Sequence, residues 1–242
     1  MNSVSIHRGG PLYAQVREIL TQRITEGEWQ PGDLLPSEQQ LARQLNVSQG
    51  TVRKALNDLV AINVLVRQQG KGTFVASHDA QRVLFHFFHI AANDGSKVLP
   101  TSSVLSWSRR RASKREAQAL KLPAGARVIQ IERIRDLGGK PTIVETIVVP
   151  TALFPDLVQP DEHLPNTLYQ LYQHRYGVTI HRAEEKLRAV AAGEREAQLL
   201  NVEVGTPLLE IERLALTLPG NPVELRISRC DTREHYYDST LA

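Results

Sequence analysis

Apolar residues along the first third of the chain recur at helical spacing in three places. Leu12, Val16, Ile19, Leu20 and Ile24 form one stripe, Leu41, Ala42 and Leu45 a second, and Val52, Ala55, Leu56, Leu59 and Val60 a third. Each predicts a helix with one buried side. Local signals bound these helices. Pro11 suits a first turn and Gly27 a stop. The turn cluster Trp29-Gln30-Pro31-Gly32-Asp33 follows, with Leu34 and Leu35 after it. Ser37-Glu38-Gln39-Gln40 has the form of a capping box, because Gln40 stands three residues after the capping serine. Ser48 caps the third stripe. The short Asn46-Val47 turn makes the second and third helices a helix-turn-helix arrangement. The pattern then changes to two β-prone segments, Val64 to Arg67 and Thr73 to Ala76, around Gln68-Gln69-Gly70-Lys71-Gly72. That is a hairpin with a Gly-rich, basic tip, placed as a wing.

The third helix, Ser48 to Asn63, carries the chemistry. Gln49, Arg53 and Asn57 lie four apart on its outer face, with Gly50 and Lys54 beside them. The face donates hydrogen bonds and holds two positive charges and no acid. On an isolated helix it would be a solvated polar face. Between a capped helix and a wing, it fits a DNA major groove. The wing tip can bring Lys71 and backbone amides to phosphates or the minor groove. A nucleotide-phosphate loop competes for the Gly-Lys-Gly tip, but it lacks P-loop spacing and a following helix.

The second half repeats itself at an offset of 80 residues: Arg115-Glu116-Ala117-Gln118-Ala119-Leu120 matches Arg195-Glu196-Ala197-Gln198-Leu199-Leu200. Gly125 matches Gly205, and Ile131-Glu132-Arg133 matches Ile211-Glu212-Arg213. After one inserted residue, Gly139-Lys140-Pro141 matches Gly220-Asn221-Pro222. Two copies make a duplicated domain and not a solenoid. Each copy reads as a strand (Ser103 to Arg109; Arg182 to Val190) and a short helix (Ser113 to Leu122; Gly193 to Asn201). A second strand (Val128 to Asp136; Leu208 to Leu216) and a third (Thr142 to Val149; Val223 to Cys230) follow. Phe85 to Ile90 adds a leading strand, and Leu168 to Tyr176 a helix between the copies. The expected architecture is α+β, an antiparallel sheet with helices to one side.

Composition narrows the classes. The chain has 242 residues, 41% hydrophobic and 23% charged, enough for two globular domains. A net charge of +3 and a pI near 9.1 are compatible with nucleic acid. The one cysteine, Cys230, excludes an internal disulfide and a Cys-based zinc site, and suggests a reducing compartment. No apolar run approaches the roughly 18 residues of a membrane span, and residues 1–10 lack a signal peptide's apolar core. Cytoplasm is therefore expected. Among the eight histidines, His86 and His89 would point to opposite faces of a strand, and His174 and His181 straddle a turn. No metal site is expected. No nucleophilic serine motif or paired acids stand out. Tyr236-Tyr237 reads as strand-end packing and Cys230 as a buried small residue.

Residues 11–76, through PLYAQVREIL, PGDLLPSEQQLA, VSQGTVRKALNDL and RQQGKGTFVA, resemble the winged helix-turn-helix of the GntR family of bacterial transcription regulators. The resemblance implies base and phosphate contacts from Glu38 and Gln39, from Ser48, Gln49, Thr51 and Arg53, and from Gln69, Gly70 and Lys71. Gln39 and Gln49 stand where many members have Arg. Arginine reads guanine bidentately and glutamine suits adenine. The expectation is therefore either an operator that differs from the commoner family sites or a greater reliance on Arg53, the expected principal contact.

Residues 83–238, through LKLPAGARVIQIERIRDLGGKPTIVE, NTLYQLYQHRYG and NVEVGTPLLEIERLALTLPGNPVEL, resemble the UTRA domain. It follows GntR-type heads in the HutC subfamily, named for the histidine-utilisation repressor. The resemblance implies a chorismate lyase-like fold and a small effector. Arg133, Arg135 and Glu145 match effector-contacting positions, as do Thr167, Tyr169 and Glu224. Phe88 and His89 sit in the leading strand, whose end borders the pocket in the family. Arg133 recurs as Arg213, which leaves a structural role open for it. Arg135 has Ala215 as its counterpart, and Glu145 has Arg226, so fold symmetry does not demand these two. Arg133 and Arg135 share one side of a strand and can hold a carboxylate or phosphate bidentately.

The expected organisation is a winged helix-turn-helix in residues 1–76, a linker in 77–82, and an effector-binding and dimerisation domain in 83–242. The expected function is transcriptional regulation by a homodimer. It would be a repressor released from a near-palindromic operator by a small anionic metabolite, with no cofactor. The alternative is a chorismate lyase-like enzyme acting on a small organic acid, for which a DNA-binding head has no use.

Overall fold

The computed structural model describes residues 10–77, 87–97, 99–159, 164–218 and 220–239. The chain divides into two compact units, residues 1–78 and 79–242. Of the expected linker, residues 78–82 lie outside the described residues.

The first unit is built from α1 (Leu12–Thr25), α2 (Glu38–Leu45), α3 (Gln49–Ala61), β1 (Leu65–Gln68) and β2 (Gly72–Val75). Its core joins Val16, Ile19 and Leu20 of α1 to Leu41 and Leu45 of α2 and Val52, Ala55, Leu56 and Leu59 of α3. The capping box at α2 is complete: the Ser37 hydroxyl accepts from the Gln40 amide at 3.3 Å, and the Ser37 amide donates to the Gln40 side chain at 2.8 Å. Ser48 caps α3 by accepting from the Thr51 amide at 3.1 Å. The chain before α2 joins the wing, because the Leu35 amide donates to the Thr73 carbonyl and Leu34 bridges to Phe74. Gly72 lies under Leu34 with φ +122°, and a Cβ there would meet the Leu34 side chain at 2.7 Å. Only glycine suits both conditions.

The second unit holds β3 (Ile90–Ala92), β4 (Thr101–Arg111), α4 (Lys114–Ala119), β5 (Arg127–Leu137) and β6 (Lys140–Pro150). These are followed by α5 (Leu168–Tyr176), β7 (Arg182–Ala191), α6 (Glu194–Leu200), β8 (Pro207–Leu216), β9 (Pro222–Asp231) and β10 (His235–Tyr237). Six strands form one antiparallel sheet in the order β4-β5-β6-β9-β8-β7, and β3 pairs with β10 in a separate ribbon. The order is palindromic about the β6–β9 seam. Thr146 pairs with Ile227 there, and these two are repeat mates once the inserted residue is counted. The duplication is therefore a pseudo-two-fold rotation through that pair.

The helices cross the seam. Helix α4 of the first copy lies on β9 of the second, and α6 of the second lies on β6 of the first. Arg115 pairs with Glu212, and Arg195 reciprocally with Glu132 at 2.5 Å. Leu120, at the end of α4, clusters with Val128 and Val148 of its own copy and Leu225 of the other. Leu200 of α6 clusters with Leu208 of its own copy and Val144 of the other, so each helix ties the two copies together. Helix α5 covers the opposite face, so the helices flank the sheet on both sides and not on one side as expected. The reason is that the odd-numbered residues of β5 and β6 are apolar as well as the even-numbered ones. There Leu168, Tyr169 and Tyr172 pack on Ile129, Ile131, Ile147 and Val149. No helix among the described residues is long and apolar enough to cross a membrane.

One expected element is corrected. Phe85 and His86 lie outside the described residues, Phe87 is helical, Phe88 and His89 are irregular, and the strand begins only at Ile90. Successive strand residues point to opposite faces, whereas Phe87 and Phe88 both turn toward one cavity. That shared direction takes them out of the strand.

Ser37→Ala removes the acceptor of the α2 cap. It should destabilise the first unit by about 1 kcal/mol, read as faster amide exchange in α2, with the second unit unchanged.

Candidate functional site

In the first unit Gln49 and Arg53, two of the expected contact residues, converge with Arg67 on one carboxylate. Glu38, at the start of α2, accepts from Gln49 Nε2 at 3.2 Å, Arg53 Nε at 2.9 Å and Arg67 Nη2 at 3.3 Å. Arg53 Nη2 also lies 2.8 Å from it. The Arg53 hydrogen bond, with the neighbouring charges, holds the Glu38 carboxyl below its ordinary range. Glu38 thus ties α2, α3 and the wing strand together. The side-on pairing, through Nε and Nη2, leaves the outer edge of the Arg53 guanidinium open. Gln39, Gln49, Arg53, Gln69, Gly70 and Lys71 are exposed. Ser48 and Thr51 bond each other at 2.8 Å. Lys54 leaves the outer face to lie over the Tyr13 ring at 3.7 Å. Arg67 was not singled out by the sequence, because only the fold brings β1 to Glu38.

In the second unit, Arg133 and Arg135 of β5, Glu145 of β6, Glu224 and Arg226 of β9 and Arg213 of β8 share the sheet face beneath α5. Pairing across the strands sets this arrangement: Arg133 opposes Glu145, Glu145 opposes Ser228, and Arg213 opposes Arg226. Glu145 accepts from Arg133 Nε at 2.5 Å, Arg135 Nη1 at 3.5 Å and the Ser228 hydroxyl at 3.3 Å, and lies 3.6 Å from Arg226. Glu224 accepts from the Tyr169 and Tyr172 hydroxyls at 3.1 and 2.8 Å and from Arg226 at 3.0 Å. Arg213 pairs with Glu185 at 2.5 Å and donates to the Phe87 carbonyl. Four guanidiniums face three carboxylates, which leaves one positive charge.

Arg133, Arg135, Glu145, Glu224 and Arg226 are buried, with Arg133 1%, Glu145 3% and Glu224 0% exposed, while Arg213 and Glu185 are partly buried. Burial alone would raise the Glu145 pKa; Arg133, Arg226 and Arg135 hold it well below the carboxylate range instead. Burial pushes the Tyr169 hydroxyl up to about 12. It brings Arg135 down to about 10, against the pull of Glu145.

Arg135 is the poorly satisfied member. Among the described residues its Nε has no partner, and its other bonds are long, 3.5 Å to Glu145 and 3.4 Å to Asn166 Oδ1. The Phe88 ring lies over its guanidinium at 4.9 Å. Arg135 opens onto a cavity of about 30 Å³ lined by Phe87, Phe88, Arg133, Asn166, Thr167, Leu168, Tyr169, Arg213 and Arg226. Thr167 is the first residue before α5, and its hydroxyl donates to Gln170 at 3.2 Å without capping the helix. Glu145 and Glu224 lie behind this wall as partners of its arginines. His89 does not line the cavity. It is half-buried beside the Tyr237 ring at 5.3 Å, and burial lowers its pKa. Asn166 was missed by the sequence reading. Its side chain accepts from Ser102 at 2.7 Å and donates to the Pro100 carbonyl, closing one wall. Arg226 carried a signal, as the mate that replaces Glu145 in the second copy; Arg213 carried none beyond its recurrence.

Glu145→Gln leaves three guanidiniums short of a buried counter-charge and should cost about 3–5 kcal/mol at neutral pH. The folded pKa of Glu145 lies below the reference 4.5. Its stabilisation is therefore complete above about 4.5 and is lost as pH falls through the lower folded value. Urea titrations should show the variant losing less stability below that pH than the parent.

Known proteins agree with this architecture. Residues 12–75 match the family described as bacterial regulatory proteins, gntR family, and residues 96–235 match the UTRA domain. The histidine utilization repressor of Pseudomonas putida is 33% identical over 84% of this chain and 81% of its own length. The mannosyl-D-glycerate transport/metabolism system repressor of Escherichia coli (strain K12) is 32% identical over 94% of each chain. The ligand-binding domain of a GntR-family regulator from Bordetella bronchiseptica superposes with a TM-score of 0.59 at 34% identity, covering 64% of this chain and 96% of that one. The chain belongs to the bacterial GntR family of transcriptional regulators, in the HutC branch, where a winged helix-turn-helix that binds DNA precedes a UTRA domain that binds a ligand.

Proposed function

We propose that the chain is a homodimeric cytoplasmic repressor, released from a near-palindromic operator by a small metabolite bearing a carboxylate or phosphate. The observation that carries the effector chemistry is Arg135, a buried guanidinium with an unpartnered Nε at the cavity wall. An anion accepting from it would satisfy a donor that the free protein leaves unmade. The surplus positive charge of the cluster favours the same class of ligand.

The cavity of about 30 Å³ is small for a metabolite. A metabolite enters only if the walls part. The sheet floor is fixed by its ladder, so the stretches outside the sheet, at Phe87 to His89 and around Asn166, are the parts that yield. Phe87 is held by the Arg213 bond to its carbonyl and by its ring against Tyr169 at 5.1 Å. A ligand on the arginines competes with that bond. It thereby favours a second arrangement of the chain where it enters the ligand unit, and differential binding to two arrangements is what effector control requires. Two heads in a dimer would occupy successive major grooves. An enzymatic role draws no support from the buried acids, since Glu145 and Glu224 are occupied by guanidinium and hydroxyl donors.

In Arg135→Ala, operator binding should persist while the response to effector disappears; joint loss of both would place Arg135 in the fold. An anionic metabolite found by thermal shift on the parent supplies the ligand. Arg53→Ala should lose about 1–3 kcal/mol of discrimination between operator and random DNA in gel shifts. Unchanged discrimination would remove Arg53 from base reading.

A further inference from the structure

The duplication supplies an internal control for surface residues as well as for buried ones. Four exposed cations surround α4, between the ends of β4 and β5: Arg111, Lys114, Lys121 and Arg127. Among the described residues none of them has an acidic partner, although neighbouring Arg110 and Arg115 pair with Glu116 and Glu212. Their mates in the second copy, at the offset of 80, are Ala191, Glu194, Asn201 and Pro207. These mates are equally exposed, and none is basic.

Each cation also sits where local physics disfavours it, and each mate where local physics agrees. Arg111 lies directly opposite Arg127 in the β4–β5 register, a like-charge pair that weakens a sheet. The corresponding pair in the second copy is Ala191 opposite Pro207. Lys114 is the first residue of α4, at the positive end of the helix dipole, where the second copy has Glu194. Lys121 adopts a left-handed backbone, φ 51°, where the second copy has Asn201 at φ 54°. Asparagine is enriched there and lysine is not. One fold, built twice, shows that the architecture needs none of these charges. Local rules broken without structural return mark a functional surface.

We propose that this corner is a second polyanion-binding surface and that its partner is the phosphate backbone of duplex DNA outside the sequence read by the head. No aromatic residue stands between Arg111 and Arg127, so bases have nothing to stack on and single strands are disfavoured. Long, unpaired cations on an exposed corner suit sequence-independent phosphate contact. The inference rests on the DNA binding of the family and is independent of the effector reading.

The test uses the full-length protein and a four-site variant, Arg111→Ala, Lys114→Gln, Lys121→Asn and Arg127→Gln. Operator affinity is measured against salt on a fragment trimmed to the operator and on one with long flanks. Each phosphate contact adds roughly −0.9 to the slope of log affinity against log salt. On the long fragment the variant should show a slope shallower by about 2–4 per protomer, and on the trimmed one the two proteins should coincide. The variant's melting temperature should equal or exceed the parent's. Equal slopes on the long fragment overturn the proposal. Equal slopes with lost repression in cells would point to an acidic protein instead, and weakened self-association in sedimentation to a contact between copies; either outcome overturns the DNA assignment. A lowered melting temperature would make the cations structural and overturn it too.

Discussion

Glu145 joins the two halves of the duplicated sheet. It bonds Arg133 across the β5–β6 pair and approaches Arg226 across the β6–β9 seam, near the pseudo-two-fold axis. A buried carboxylate costs several kcal/mol to desolvate unless its partners are close and complete. Here three guanidiniums and a hydroxyl meet it, which keeps it ionised without water. The same cluster then holds the arginines of the cavity wall in fixed positions. The pocket's chemistry therefore depends on a group that does not itself line the pocket.

The head uses the same device in a wetter setting. Glu38 draws Gln49, Arg53 and Arg67 from two other elements onto one carboxylate. Exposed pairs of this kind add little stability. Their value is geometric: one edge of Arg53 is held by Glu38 and the other is left open. In both units an acid positions arginines.

Duplication explains much of the second unit and also shows where it stops explaining. The swapped helices, with the reciprocal Arg115–Glu212 and Arg195–Glu132 pairs, keep the symmetry. The cluster beneath α5 breaks it. Arg133 opposes an acid, whereas its mate Arg213 opposes Arg226 and must find Glu185 instead. This mismatch leaves Arg213 reaching the Phe87 carbonyl. It also leaves Arg226 shared between Glu224 and Glu145. The asymmetry that makes a pocket is a departure from an otherwise two-fold sheet.

What was legible in the sequence is what depends on near neighbours. The stripes of α1 and α3, the Ser37 and Ser48 caps and the alternating strands follow from periodicity and from hydrogen bonds spanning three or four residues. The repeat was legible as text, and it marked Arg135 and Glu145 as positions that the duplication does not demand. Tertiary structure alone decided which mates meet. The β6–β9 register sets Glu145 against Ser228 and beside Arg226, which are 83 and 81 residues further along the chain. It likewise decided that Phe87 and Phe88 leave the strand, that His89 turns away from the cavity, and that Arg67 joins Glu38. The physical reason is common to all of these. A cap or a stripe is satisfied within a turn or two of chain, but a buried charge is satisfied only by whichever strand the folded sheet places beside it.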